Sequence, residues 1–353
     1  MSLVEIINRV REKHLIPAVA VSMISSDREP ENTVVGYRIA GNDRLATIHD
    51  YFHIGSCSKS VLSVIAAKLV EERKVQWDES FFKIFPELLK NARTEYFDIT
   101  LSDLLLCQAG IAAFTDLDVD KMPEFGSDGD DQDRLTFIRF LISRHPVVPR
   151  TRKGFRHCYS NASYTMASAM IERISGLSYR DLALQTLTDA LGLSFWIGWP
   201  NHLNPEQPWG HQLVKGKLVL FPPAHPYHLP PCLTPAGNLS MPAVDFARYV
   251  QFHLRGLIGK ETYLTAGSFQ KLHFGVDVYS YGIANGSLGG LILSGMDGSL
   301  GTFFCRAMIF PGRDRALAIM MNAGTGGAIM PAMNELTMKI IKSDFGWRWK
   351  WWL

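Results

Sequence analysis

The sequence predicts an α+β protein in which an antiparallel sheet of about five strands is flanked by helices and interrupted by a mostly helical insert. Strand-like apolar runs occur twice near the start of the 353-residue chain and three times near its end. Between them, apolar residues recur at helical spacing. The order strands, helices, strands, helix builds one mixed layer, not alternating βαβ units.

The elements follow in order. "MSLVEIINRVREKH" places charges around an amphipathic helix, with no cleavage-site pattern of a signal peptide. "IPAVAVSMI" and "TVVGYRIAG" are the two early strands, joined by the polar loop "SSDREPEN". "SVLSVIAAKLVEERK" is a helix with a buried first half and a charged end. "YTMASAMIERISG" is another, with Gly176 placed to cap it. From Pro200 to Pro235 the chain is rich in Pro, His and Trp, and irregular loops are expected. "MPAVDFARYVQFHLRG" returns to helix. "GGLILSG", "TFFCRAMIF" and "ALAIMMNAG" are three late strands broken by glycine turns, and a last helix covers about Met330 to Lys342.

Composition bounds the function. Apolar residues make up 47% and charged residues 20%, which describes a well-packed globule. Lys plus Arg number 36 against 34 Asp plus Glu, so no overall field attracts nucleic acid or anionic lipid. Five widely spaced cysteines without a CxxC pair argue against a disulfide framework or zinc knuckle, and for a reducing compartment. No apolar stretch approaches the roughly 20 residues that span a bilayer, so a cytoplasmic location is expected. The chain also lacks a G-x-S-x-G elbow and nucleotide-binding glycine motifs.

Three Ser-x-x-Lys spacings occur: Ser56–Lys59, Ser80–Lys83 and Ser268–Lys271. Only Ser56 follows a strand-like run, "YFHIG", and opens a long apolar helix, where free backbone N–H groups and the positive dipole end lie. One turn on, Lys59 shares its face. An amine buried among apolar neighbours loses basicity and can take the serine's proton. Ser80 and Ser268 fit helix caps beside solvated lysines. Cys57, Ser58 and Ser60 are turned off the lysine's face, and Ser63 lies inside the helix. The one Tyr-x-Asn, Tyr159-Ser160-Asn161, also precedes an apolar helix. A tyrosine near two cations is expected to have a lowered pKa and act as base, while the asparagine orients lysine and substrate.

These residues, in this order, resemble the serine β-lactamase and penicillin-binding-protein superfamily, in the branch holding class C β-lactamases and family-eight carboxylesterases. "YFHIGSCSKSVLSVIAAKLVEERKVQWDE" resembles the nucleophile helix, "ITLSDLLLCQAGI" the next helix and turn, and "FRHCYSNASYTMASAMIERISGLSYRDL" the Tyr-x-Asn segment. "LTPAGNLSMPAVDFARYV" resembles a later helix and "ILSGMDGSLGTFFCRAMIFPGRDRALAIMMNAG" the final sheet. The resemblance implies a β-lactamase/transpeptidase-like fold. Residues 1–62 and 178–353 would form a discontinuous sheet domain, 63–177 a helical domain, and the site would lie between them. It implies Ser56 as nucleophile, Lys59 and Tyr159 as proton-transfer groups and Asn161 as a positioning residue. It also implies an oxyanion hole from the backbone N–H groups of Ser56 and Met296.

Two departures from the family pattern stand out. The third motif, Lys-Thr-Gly or His-x-Gly, reads here Leu293-Ser294-Gly295, with Ser294 and Gly295 as substrate-positioning residues and no cation at Leu293. "CQAG" (Cys107–Gly110) replaces a typical His-Thr-Ser-Gly and reads as local packing. The lost cation implies neutral esters or amides as substrates, with β-lactams slow acylators at best. A β-lactamase or D-amino-acid peptidase drawing its charge from elsewhere, and a catalytically weak homologue acting as a binding protein, remain the alternatives. No metal or organic cofactor is expected.

Four further signals are weaker. Arg144, Arg150, Arg152, Lys153 and Arg156 read as a solvated basic loop, with Arg156 as the alternative source of the missing charge. "DLDVDKMPEFGSDGDDQD" lacks the glycine and glutamate of an EF-hand and reads as an acidic loop, with a lid as the sharper version. His225 and His228 flank a proline in a loop and read as no metal site. The end, "FGWRWKWWL", reads as a tail packed on the body, with a membrane or partner surface as the alternative.

Overall fold

The computed structural model describes residues 2–115, 131–152, 154–261, 263–324 and 326–344. Most of the acidic run (116–130) and the tryptophan-rich end (345–353) lie outside the described residues.

Helix α1 (Leu3–Lys13) starts with a reciprocal cap. Ser2 Oγ accepts from the Glu5 N–H, while the Glu5 carboxylate accepts from the Ser2 N–H at 2.7 Å. Strand β1 (Ala18–Ile24) is buried along its whole length, the signature of a central strand covered on both faces. It pairs antiparallel with β2 (Glu31–Gly36) on one side and with the last strand on the other. The remaining strands are β3 (Tyr279–Ser280), β4 (Ile283–Leu288), β5 (Leu291–Ser299), β6 (Phe304–Phe310) and β7 (Arg315–Met321). The main sheet runs β3-β4-β5-β6-β7-β1-β2, antiparallel throughout.

The sheet therefore has seven strands where about five were expected. The extra pair, β3 and β4, arises from "YSYGIANGSL", whose glycines and polar residues form no apolar run. A second difference is the hairpin Gly210–Val214/Lys217–Phe221, inside the stretch expected to be irregular. Its turn residues Lys215 and Gly216 both take positive φ (48° and 76°), as a tight two-residue hairpin turn requires.

Two cores flank the sheet. Behind it, α1 and α6 (Gly326–Asp344) bury Ile7, Val10, Leu336 and Ile340 against Val19, Val21 and Ile319. In front, one continuous core joins β1 to α2 (Ser58–Glu71), α3 (Asn161–Ser175), α4 (Ala243–Leu257) and α5 (Ala266–Phe274). Ala20, Val61, Met166 and Val250 all belong to it. Among the described residues, no helix is long and apolar enough to cross a membrane.

Two local devices place the site. A short strand, Tyr51–His53, pairs with Leu239–Pro242 and leads through a 3-10 turn, Gly55–Cys57, into α2. Ser160 caps α3, its Oγ accepting from the Ser163 N–H at 3.0 Å, and Gly176 ends that helix at φ 72°.

Candidate active site

Ser56 sits in the middle of the Gly55–Cys57 turn, two residues before the helix proper begins at Ser58. The turn is anchored from behind by His53. The Gly55 N–H donates to His53 Nδ1 at 3.1 Å, and the opposite ring nitrogen lies 3.3 Å from Asn238 Oδ1. With Nδ1 accepting, the proton belongs on Nε2 and the ring is neutral. Burial agrees, lowering the His53 pKa to about 4.

Neighbouring nucleophiles are disposed of by packing. Cys57 has no exposed surface, belongs to the front core, and burial pushes its thiol pKa up. Ser58 Oγ donates to the Gly55 carbonyl and Ser60 Oγ to the Cys57 carbonyl, each at 2.7 Å. Ser56 alone among them meets Lys59 and Tyr159. Lys59 Nζ lies 3.2 Å from Ser56 Oγ, and Tyr159 Oη donates to the same oxygen at 2.7 Å.

Lys59 is 1% exposed and has two further partners, Asn161 Oδ1 at 2.7 Å and the Ala236 carbonyl at 2.6 Å. Asn161 is oriented in turn, its Nδ2 donating to the Phe114 carbonyl at 2.9 Å. Neither partner is a carboxylate. Burial is therefore uncompensated and lowers the ammonium pKa to about 7. Tyr159 goes the other way from expectation. Among the described residues one cation faces it, Lys59 Nζ at 4.7 Å from the ring centre, and burial raises the phenol's pKa. Tyr159 is thus a neutral hydrogen-bond donor, and the basic member of the pair is Lys59.

The segment expected to complete the site is displaced. Leu293 packs into the core behind the sheet. The Ser294 hydroxyl is buried against His273 Nδ1 at 2.7 Å, and Gly295 pairs with Ala284 of β4. The residues that touch the nucleophile turn lie further along β5. A methyl built on Gly298 would lie 2.9 Å from the Ser56 nitrogen and 1.9 Å from the Ile54 carbonyl oxygen. One on Gly55 would lie 2.4 Å from the Ser299 nitrogen. The Gly298–Ser299 peptide, not the Met296 N–H, therefore abuts the Ser56 turn. The shift from Leu293 to Met296 is three residues, about 10 Å of strand. Being odd, it exchanges the faces of the sheet. Met296 faces the front core, is 2% exposed and carries no charge. Arg156 is exposed, and among the described residues no group of three or more His, Cys, Asp or Glu could hold a metal.

The family model Beta-lactamase matches residues 3–340, nearly the whole chain. The chain belongs to the Beta-lactamase family. A curated relative, Unguisins hydrolase ungD of Aspergillus violaceofuscus (strain CBS 115571), is 28% identical over 188 residues, 51% of this chain but only 31% of its own length. The chain thus spans about a third of that relative. Among solved structures, the octameric penicillin-binding protein homologue from Pyrococcus abyssi superposes with a TM-score of 0.78 at 22% identity, over 96% of this chain and 76% of its own. D-amino acid amidase from Ochrobactrum anthropi SV3, in complex with L-phenylalanine amide, gives 0.74 at 19% identity, over 97% and 99%. At these identities the likeness is one of fold.

Within this Beta-lactamase family member, sequence reasoning overlooked three contributors. The carbonyls of Ala236 and Phe114 orient Lys59 and Asn161, but a main-chain oxygen leaves no mark on residue identity. The third, His53, had a visible signal in "FHIG", three residues before the nucleophile.

Proposed function

We propose that the chain is a serine hydrolase that works through an acyl-enzyme on Ser56, acting on small neutral esters or amides. The observation that carries this is the set of partners around Lys59. A neutral amine has two N–H bonds and one lone pair. Two of the three directions around Nζ meet pure acceptors, Asn161 Oδ1 and the Ala236 carbonyl. In the neutral form both N–H bonds go there, which aims the lone pair at Ser56 Oγ. Burial lowers the ammonium pKa to about 7, which makes that neutral form accessible at neutral pH.

Lys59 then takes the Ser56 proton as Oγ attacks the carbonyl carbon, and the resulting ammonium keeps its acceptors. Tyr159, neutral and hydrogen-bonded to Oγ, hands its proton to the leaving oxygen or nitrogen and regains one from Lys59. Water reverses the sequence to release the acid. The Ser56 and Ser299 N–H groups receive the negative oxygen of the tetrahedral intermediate, and each such donor contributes about 3 kcal/mol. The close approach of Gly298 to Ser56 supports reading Met296-Asp297-Gly298 in the place of the family's third motif. Met296 brings no charge, and the Asp297 carboxylate is neutralised by Arg306 at 2.6 Å. Among the described residues of this strand no cation is left free, which favours uncharged substrates. Residues 1–62 with 178–353, and 63–177, are read as sheet and helical domains meeting at this cluster.

A β-lactamase or D-amino-acid peptidase is the second reading, favoured by family membership and by the fold shared with the amidase. One experiment separates these from a non-catalytic binding protein. The protein and its Ser56→Ala variant are incubated with a p-nitrophenyl ester, a chromogenic cephalosporin and penicillin, following turnover and intact mass. Ester turnover exceeding cephalosporin turnover, with an acyl adduct that Ser56→Ala loses, is the expected result. Absence of both turnover and adduct would defeat the enzyme reading.

A further inference from the structure

The last four residues of β5 are held unevenly. The β4–β5 ladder ends at Ala284↔Gly295, so Met296 to Ser299 have no β4 partner on that side. Their other side is paired with β6, with Asp297 opposite Arg306 and Gly298 opposite Cys305. On the rear face, Arg306 Nε donates to Asp297 Oδ1 at 2.8 Å and Nη2 to Oδ2 at 2.6 Å, a two-point grip on one carboxylate. Its remaining amino group, Nη1, donates to Asn334 Oδ1 of α6 at 2.8 Å. The Arg306 side chain is 13% exposed, far less than a free surface arginine. A cavity of about 600 Å³ adjoins the three residues, lined also by Leu293, Met308 and Thr337.

Asp297 immediately precedes the Gly298–Ser299 peptide. Left unpaired, its carboxylate would bring negative charge to the strand where an oxyanion must be received; at Cys57, in the nucleophile turn, burial raises the thiol's pKa first, the Asp297 charge adds to that rise and the Arg306 charge opposes it. It would also leave a half-paired strand end free to shift, and oxyanion donors work because they are fixed before the charge appears. We propose that Arg306 is a positioning residue: through its grip on Asp297, braced by Asn334, it holds the Gly298–Ser299 peptide against Ser56 and cancels the carboxylate charge beside it. This rests on the reading of Ser299 N–H as an oxyanion donor. The guanidinium is committed to Asp297 and Asn334, so it is assigned no contact with substrate.

The test compares wild type, Arg306→Lys, Arg306→Met, Asp297→Asn and the double variant Asp297→Asn/Arg306→Met on a neutral and an acidic p-nitrophenyl ester. A boronic acid that forms a tetrahedral adduct on serine reports the oxyanion hole directly. Arg306→Met is expected to lower kcat about 10- to 100-fold with KM within about twofold, and to weaken boronic-acid inhibition by a similar factor. Arg306→Lys should fall between it and wild type. The double variant should regain part of the lost kcat, because the uncompensated carboxylate is gone; a protein merely damaged in folding would not recover. An unchanged kcat in Arg306→Met, a kcat loss without loss of boronic-acid affinity, or a loss confined to the acidic ester would each overturn the proposal. If wild type itself neither turns over ester nor acylates Ser56, the hydrolase reading fails and the clamp with it. An active wild type with an indifferent Arg306→Met removes the clamp alone.

Discussion

Ser56–Lys59 and Ser80–Lys83 have the same spacing in sequence and opposite physics. Lys59 is enclosed and, among the described residues, its hydrogen-bond partners are uncharged, so burial drives it toward the neutral amine. The Lys83 side chain is 73% exposed and pairs with Glu79 at 2.7 Å, which raises its pKa. At the third spacing, Ser268 Oγ donates to Glu71, and Lys271 Nζ lies 5.5 Å from the ring centres of Trp77 and Tyr281. Spacing alone puts a serine and a lysine within reach; burial without a counter-charge turns the lysine into a base.

The largest effect that could break this comparison comes from exchanging the lysines' fates. Lys59→Met should lower ester kcat about 10³-fold, whereas Lys83→Met should leave it within twofold, both measured as initial rates. Comparable losses in the two variants would remove the distinction.

The pH profile sharpens the same contrast. If the neutral Lys59 amine is the base, as proposed, its pKa lowered to about 7 by burial makes kcat/KM flat above about pH 7 and falling about tenfold per unit below it. A profile with no break between pH 6 and 8 would assign the proton to another group.

The smallest effect concerns stability. His53 and His211 are held at about 4 and His253 at about 3, all by burial. These rings are neutral in the fold, while the unfolded chain binds protons from the ordinary 6.5 downward. Their stabilising contribution is complete above pH 6.5 and is lost as pH falls toward 4, by about 1.4 kcal/mol per unit for each ring. Urea midpoints at pH 7 and pH 5 should therefore differ, and His53→Gln should shrink the difference. Equal midpoints would count against buried neutral imidazoles.

What could be read in advance divides along the range of the interactions. Ser56, Lys59, Tyr159 and Asn161 were legible because each pair is local, three residues along a turn or one step before a helix. The two early and three late strands were legible because each carries a run of apolar residues bounded by polar or glycine turns, and β1 is buried along its whole length. β3, β4 and the hairpin at Lys215-Gly216 were hidden, since they draw their order from pairing partners and turn geometry. The strand that abuts the Ser56 turn was misjudged for a sharper reason. "LSG" and "MDG" each end in glycine and lie three residues apart, and only the contact of Gly298 with the Ile54 carbonyl and Ser56 nitrogen identifies which window faces the nucleophile. The phenol of Tyr159 was misjudged because the expected second cation is absent from its described surroundings.

The bare contact between Gly55 and the Gly298–Ser299 peptide also sets a rule for anyone reshaping this catalyst. Gly55 holds φ 50° and admits no methyl without striking the Ser299 nitrogen, and Gly298 admits none without striking Ile54. A library diversified at 55 or 298 would return dead clones whatever substrate is offered. Variation belongs instead on side chains beside Tyr159, such as Tyr279, whose ring stands 6.1 Å from the Tyr159 ring and 4.7 Å from that of His157.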